Sequence, residues 1–470
     1  MSISPNFDEN IVFLKTWGEI DERLDPAFYL NIILLEKNII SKSAHLVSTF
    51  KKKVKMQRGR FGHRPRNDPR YYNGIYPFIQ TGNIVKASSS NEMIEFTQTL
   101  NELGLSTSRL FDEKVVVITI AANIGYTAIL DYPACFPDSL VALTSKDDSI
   151  SLEYLNVYIR FIRDYIEKLA PQAAQKNINL KQLSKLPIIV PDMDKQKLIV
   201  SIMEKAYTEK VNKEKEAKIL LNSMDEYLLQ ELSFDLSPAK NITLKNRIFY
   251  VDSNELTEKR FDPFYYQTHY RDFEANTYNN RFIKLGNFIT SISYGASVEN
   301  CYTNEGIPFL RITDLKENEI NSEEIMYLPI KMEKKISSSR VQKGDILISR
   351  SGTIGVCSMV DEAHDGFAFG SFMIRFSLSD INEKFVAYFI NSSIGKMYFE
   401  RNKIGAVQEN ITIPIIKSLL VPNITREKQN SIVRHLDDIK DNATKLKQQS
   451  VKSIENGLLK IKQILLGGEL

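Results

Sequence analysis

The sequence predicts an α+β chain of two similar domains in tandem, each followed by a long helix, the two helices pairing as an antiparallel coiled coil with pseudo-two-fold symmetry. Three observations predict it. The chain repeats itself at half its length: Ala173, Gln175, Asn177 and Ile178 recur as Ala406, Gln408, Asn410 and Ile411, a constant offset of 233 residues (173 against 406). The same offset returns at Gln196, Ile199 and Val200 against Gln429, Ile432 and Val433. Each copy also alternates β-branched runs with polar loops, and each closes in a charged stretch with apolar residues at helical spacing. The expected boundaries are 1–191 for the first domain, 192–236 for the central long helix, 237–422 for the second domain and 423–470 for the C-terminal long helix.

Taken in order, the repeat starts at Asp25-Pro26-Ala27-Phe28-Tyr29 and again at Asp262-Pro263-Phe264-Tyr265. Proline removes a backbone donor and disfavours helix just before it, so each pair bends the chain ahead of an aromatic segment. Tyr76-Pro77-Phe78-Ile79 and Ile307-Pro308-Phe309-Leu310 read as short strands entering polar turns, Gln80-Thr81-Gly82-Asn83 and Arg311-Ile312-Thr313-Asp314. Lys114 to Ile120 and Asp345 to Ser349 read as buried strands leading to glycine loops, Asn123-Ile124-Gly125 and Arg350-Ser351-Gly352-Thr353-Ile354-Gly355. Residues 152–169 and 382–400 have helical spacing.

In the C-terminal helix Ile432, Leu436, Ile439, Ala443 and Leu446 step by four and three, and after a one-residue phase slip Val451, Ile454, Leu458, Ile461 and Leu465 continue. The central helix has the same kind of seam at its ends and a weak middle, with Val211 and Ala217 as the apolar residues between Thr208 and Lys218. A helix of roughly 38 residues spans about 57 Å at about 1.5 Å per residue. A lone helix of that length sustains itself poorly and would leave its seam wet. The expectation is that the two helices pair and act as a rigid spacer; the alternative is that each folds back on its own domain.

Composition bounds the function. A chain of 470 residues with 43% hydrophobic and 25% charged content is ordinary for a globular protein of two or more domains. No signal-peptide order and no membrane-length apolar run is present, and Cys135, Cys301 and Cys357 are too few for a disulfide framework, so a cytoplasmic protein is expected. No metal site is expected either, since the five histidines show no ligand spacing. No P-loop occurs. Asp262-Pro263-Phe264-Tyr265 is close to the Asp-Pro-Pro-Tyr element of amino-methyltransferases, but the second proline is missing, the element repeats, and no glycine-rich cofactor loop accompanies it. No catalytic residue is therefore assigned.

The strongest chemical signal is the stretch 51–72, with nine Lys or Arg against one Asp, mixed with Gly, Pro and aromatic residues. It reads as a mobile positive loop. Arginine forks suit phosphate oxygens and guanine edges, and docking on DNA would release condensed counterions. A solvated surface loop is the plain alternative; the arginine bias and the lack of compensating acids favour nucleic acid. The candidate DNA contacts here are Lys51, Lys52, Lys53, Arg58, Arg60, Arg64, Arg66 and Arg70, followed by Gln80, Thr81 and Asn83. In the less basic second copy they are Tyr294, Arg311, Thr313, Asp314, Arg350, Ser351 and Thr353.

This order of signals, occurring twice, resembles the specificity subunit of type I restriction–modification enzymes. The residues that carry the likeness are the two Asp-Pro pairs, Gly344 to Gly355, Gln175-Lys176-Asn177-Ile178 and Gln408-Glu409-Asn410-Ile411-Thr412-Ile413-Pro414. The resemblance implies two target-recognition domains, each binding one half of a split, asymmetric site in double-stranded DNA, with the helices setting the gap. It implies a subunit without catalysis of its own. Two methyltransferase subunits using S-adenosylmethionine, and two restriction subunits using ATP and Mg, would supply adenine methylation and cleavage in phage defence. Half-sites read from one face of B-DNA are expected about 10 bp apart, centre to centre.

Overall fold

The computed structural model describes residues 30, 34–62, 68–170, 177–234, 248–256, 261–267, 269–270, 282–299, 301–405 and 409–468. Arg64 and Arg66, the first Asp-Pro pair and Gln175, Lys176, Ala406, Val407 and Gln408 lie outside them. The chain divides into two compact units: Met1–Glu216 with Lys445–Leu470, and Ala217–Thr444. Each long helix contributes one segment to each unit.

In the first unit a four-stranded sheet runs in the order Val54–Arg58, Leu140–Ser145, Val115–Thr119, Thr127–Leu130, antiparallel throughout. Every residue of Val115–Thr119 is buried, which is why this run is β-branched without polar alternation. A second sheet orders Gln98–Leu100, Tyr72–Phe78, Ala134–Cys135 and Leu110–Phe111, with one parallel pairing at Phe78 and Cys135. Leu46–Thr49 pairs with Pro187–Val190 as a third, two-stranded sheet.

The second unit repeats all three, its mixed sheet with three strands in place of four. Its four-stranded sheet runs Ile289–Tyr294, Met373–Leu378, Ile346–Ser349, Cys357–Met359. Met326–Leu328, Ile307–Leu310 and Ala368–Phe369 form the mixed sheet, again with a parallel pairing, Phe309 to Ala368. Phe282–Lys284 pairs with Leu420–Pro422. The duplication read from scattered identities is thus a duplication of strand order.

The matched glutamines have the same work in both copies. Gln196 is fully buried; its amide donates to the carbonyls of Ser149 (2.7 Å) and Pro191 (2.9 Å) and accepts from the Ser151 N–H (3.0 Å). Gln429 donates to Ile424 O (3.0 Å) and accepts from Asn382 N (2.8 Å). Each ties the first turn of a long helix to the start of the helix packed on its own sheet. A buried amide left without such partners would cost about 1–3 kcal/mol.

The long helices span Met193–Glu231 and Arg426–Leu465. In the first unit Ile199, Met203 and Tyr207 share a core with Ile461, Ile464 and Leu465, and Lys213 Nζ lies 3.4 Å from Gln449 Oε1. In the second, Tyr227 stacks on His435 (4.0 Å between rings) and Glu231 pairs with Lys428. Rising numbers on one helix meet falling numbers on the other, so the pairing is antiparallel in both units.

Three expectations need correction. The phase slip in the C-terminal helix does not exist. The seam continues by fours and threes through Ala443, Leu446, Ser450, Ser453 and Gly457, while Val451 is 54% exposed. Counting large apolar residues hid it, because the helices approach closely there: a Cβ on Gly457 would sit 3.0 Å from Ala206 Cβ. The stretch 51–72 is not one loop. Phe50–Lys53 is a helical turn and Val54–Arg58 a sheet strand, in which buried Val54 and half-buried Met56 alternate with exposed Lys55 and Gln57. The first polar turn is a ten-residue helix, Thr81–Ser90, started by a Gln80–Asn83 capping box and burying Ile84, Ala87 and Ser88. The helical spacing of 152–169 and 382–400 is borne out, each span holding two helices, broken at Ile162 and at Ser392, which caps the next helix.

Candidate nucleic-acid interface

The glycine loops are built alike down to single hydrogen bonds. In the first unit Thr119 Oγ1 donates to the Asn123 carbonyl, the Gly125 N–H bonds Thr119 O (2.9 Å), and Ile178 N–H bonds Ile120 O (2.9 Å). In the second, Ser349 Oγ donates to Thr353 O (2.5 Å), Gly355 N–H bonds Ser349 O (3.0 Å), and Ile411 N–H bonds Arg350 O (2.9 Å). Asn177 bridges Ala121, and Asn410 bridges Ser351. The recurring Gln-x-Asn-Ile signal is therefore the strap that closes the loop. By these bonds Ile120, Ala121 and Ala122 stand where Arg350, Ser351 and Gly352 stand. Ala122 (φ +61°) and Gly352 (φ +78°) share the left-handed conformation.

The edge strand of each four-stranded sheet, Val54–Arg58 or Ile289–Tyr294, ends on a matching close contact. A Cβ on Gly59 would lie 2.3 Å from Pro137 O, and one on Gly295 would lie 2.2 Å from Gly370 O. Arg60 N–H bonds Phe136 O (3.0 Å), and Ala296 N–H bonds Phe369 O (2.9 Å). Arg58 and Tyr294 are thus equivalent positions, as are Arg60 and Ala296.

On this frame the first unit gathers exposed Arg58 and Arg60 beside the segment 136–139. Arg58 Nε donates to Asp138 O (2.5 Å), and Thr81 Oγ1 lies 3.3 Å from Ser139 Oγ. Gln80 and Asn83 cap the helix that Thr81 begins. Arg109, which sequence reasoning missed, joins them: its Nη1 donates to Arg58 O (2.6 Å), and its neighbour Ser108 donates to Arg60 O (2.7 Å). A position fifty residues away carried no local signal; the Phe61–Ser108 bridge brings it in.

The lysines do not join this group. Lys51, Lys52 and Lys53 lie at the far end of the strand, about 17 Å along it at about 3.3 Å per residue. Lys53 is held by Asp147 (2.9 Å) and Ser149 (2.8 Å), and hydrogen bonds from Lys53 and Ser149 draw the Asp147 carboxyl down to about 2. Arg70 is clasped by Asp68 in its own turn (2.6 Å).

In the second unit Thr313, Lys316, Ser351, Gly352, Thr353 and Phe372 line one cleft of about 570 Å³. Arg311 and Asp314 stand beside it as a capping box, the Arg311 fork held by Asp314 (2.7 and 3.1 Å) and by Glu324 O (3.0 Å). They occupy the place of Gln80 and Asn83. Arg350 lies over the ring of Tyr294, 4.7 Å from its centroid. Phe372 (53% exposed) and Lys316 were also missed; short strands and turns on either side bring them together.

A family profile described as the type I restriction modification DNA specificity domain matches residues 60–221 and 279–456, well over half of the chain, in two copies. The chain belongs to this specificity-domain family. Solved structures similar to this chain include the S subunit of a type I restriction–modification system from M. genitalium, at 14% identity over 89% of this chain and 96% of that one (TM-score 0.41). A chain from a structure of the assembly and conformational transition of the type I R-M system is 15% identical over 90% and 96% (TM-score 0.51). The HsdS subunit from Thermoanaerobacter tengcongensis is 14% identical over 90% and 97% (TM-score 0.37). The matched segments of the specificity-domain profile take in both glycine loops and Arg60, Thr81, Tyr294 and Arg350. Among the described residues no helix is long and apolar enough to cross a membrane.

Proposed function

We propose that this chain is the sequence-reading subunit of a cytoplasmic type I restriction–modification complex, in which each unit reads one half of a bipartite, asymmetric site in double-stranded DNA. The observation that supports it best is the pairing of a twice-repeated specificity domain with different side chains on the same frame. Two copies of one backbone with unlike polar groups suit two unlike half-sites. The first unit offers Arg58, Arg60 and Arg109, a patch suited to phosphates and guanine edges. The second offers one arginine on an aromatic ring beside a hydroxyl-lined cleft.

The chain supplies recognition and no chemistry. Adenine methylation with S-adenosylmethionine, and ATP- and Mg-dependent cleavage, belong to partner methyltransferase and restriction subunits, two of each in the resemblance. The antiparallel helices set the gap between half-sites. Single-molecule methylation mapping in cells carrying the chain with its partner subunits tests this reading. A two-part motif with a fixed gap and unlike halves is expected; a continuous motif, or methylation by the purified chain without partners, would contradict it.

A further inference from the structure

Arg350 is held differently from the ion-paired arginines near the two frames. Arg70, Arg311, Arg340 and Arg375 each close on a carboxylate of their own unit. Arg350 lies 4.7 Å over the Tyr294 ring, its Nε is buried without a hydrogen-bond partner, and among the described residues its guanidinium meets no acceptor. Its backbone is fixed on both sides, N–H to Phe372 O (2.9 Å) and C=O to Ile411 N–H (2.9 Å). A planar five-donor fork, held by stacking and short of acceptors, is set for a partner that brings two acceptors in one plane.

We propose that Arg350, stacked on Tyr294, reads a guanine in the half-site of the second unit, its fork bonding O6 and N7 in the major groove. The inference rests on the DNA-reading function above and adds the base. A guanine edge presents two acceptors side by side, which neither adenine, cytosine nor thymine does in that groove. A phosphate would also accept the fork, but phosphates flank every base pair and impose no base requirement, which the experiment below separates. Tyr294 is the positioning residue: it sets the plane of the fork and touches no base itself. The first unit has Ile120 at the position of Arg350, and Ile120 is 1% exposed, so this reader is absent from the other half-site.

The test uses the complete complex in cells, with methylation mapping of wild type, R350Q, R350K, Y294A and Y294F, and unfolding curves to confirm that each chain folds. R350Q and R350K are expected to lose a guanine requirement at one position of one half-site, a discrimination of about 5- to 150-fold. R350K keeps the charge but not the fork, so it separates base reading from net charge. Y294A should relax the same position and Y294F should retain it, with the other half-site and the gap unchanged. If the motif stays intact in R350Q while the slope of log Kd against log salt falls by about 0.9, the contact is to phosphate and the inference is overturned, the DNA-reading function standing. If neither motif nor slope changes, the inference is overturned as well. A wild-type complex with no two-part motif would sink the underlying reading instead.

Discussion

Two loops with the same hydrogen bonds carry opposite residues. At one backbone position the first unit has Ile120, wholly buried, and the second has Arg350, partly exposed; at the neighbouring strand end the first has Arg58 and the second Tyr294. The bonds that fix these positions run through backbone groups, to Ser139 O or Phe372 O on one side and from Ile178 N or Ile411 N on the other. With the frame bonded through the backbone, the side chains at one position can differ, Ile120 turning into the core and Arg350 onto the Tyr294 ring. On the proposed function, the comparison assigns specificity to the few side-chain positions that the shared backbone bonds leave unconstrained.

The largest break in the comparison is at the matched glycines. Gly59→Val and Gly295→Val should each destabilise their unit by about 3 kcal/mol, since the new Cβ meets a carbonyl oxygen rather than a movable side chain. Urea unfolding of each variant checks this; a large loss in one and none in the other would mean that the strand ends are not equivalent. The basic patch comes next. Arg58, Arg60, Arg64 and Arg66 changed together to Ala should weaken DNA binding and lower the salt slope by about 0.9 for each phosphate contact removed. An unchanged slope in a binding titration would remove this stretch from the interface.

A smaller effect concerns the left-handed residue of each loop. Ala122→Gly should stabilise the first unit by about 1 kcal/mol, and Gly352→Ala should cost the second a similar amount, because a Cβ disfavours φ near +60°. Thermal unfolding of the pair reads both signs at once; equal signs would show that the loops are not the same structure. The smallest effect is the exposed Lys53–Asp147 pair. The folded carboxyl, at about 2, lies below its ordinary value of 3.8, so its contribution is present above about pH 4 and is lost as pH falls towards 2. Lys53→Ala should shrink that acid-dependent part, and acid titrations of stability that coincide for variant and wild type would contradict it.

The duplication, its buried strands and the helix pairing were legible because they rest on residues that repeat: buried Val115 to Thr119, the Asn-Ile strap, the seam of Ile432 and Leu436. The matched Gln196 and Gln429 were visible as identities, though their role as buried ties needed the structure. The seam through Ser450, Ser453 and Gly457 was misread because close-packed helices select small residues, which a search for large apolar ones passes over. The stretch 51–72 was misread because its charge count hid the alternation of Val54 and Met56. Arg109 and Phe372 were invisible, since a surface assembled from distant turns leaves no spacing in the sequence. The stacking of Arg350 on Tyr294 likewise joins positions on separate strands.

The claim that two recognition units are spaced by paired helices has one direct test. Seven residues inserted after Lys215 and seven after Lys447 keep both seams in phase and add about 10.5 Å of helix, equal to about three base pairs. Methylation mapping of this variant should return both half-sites unaltered with the gap lengthened by about three base pairs. An unchanged gap in a folded, active complex would contradict the account.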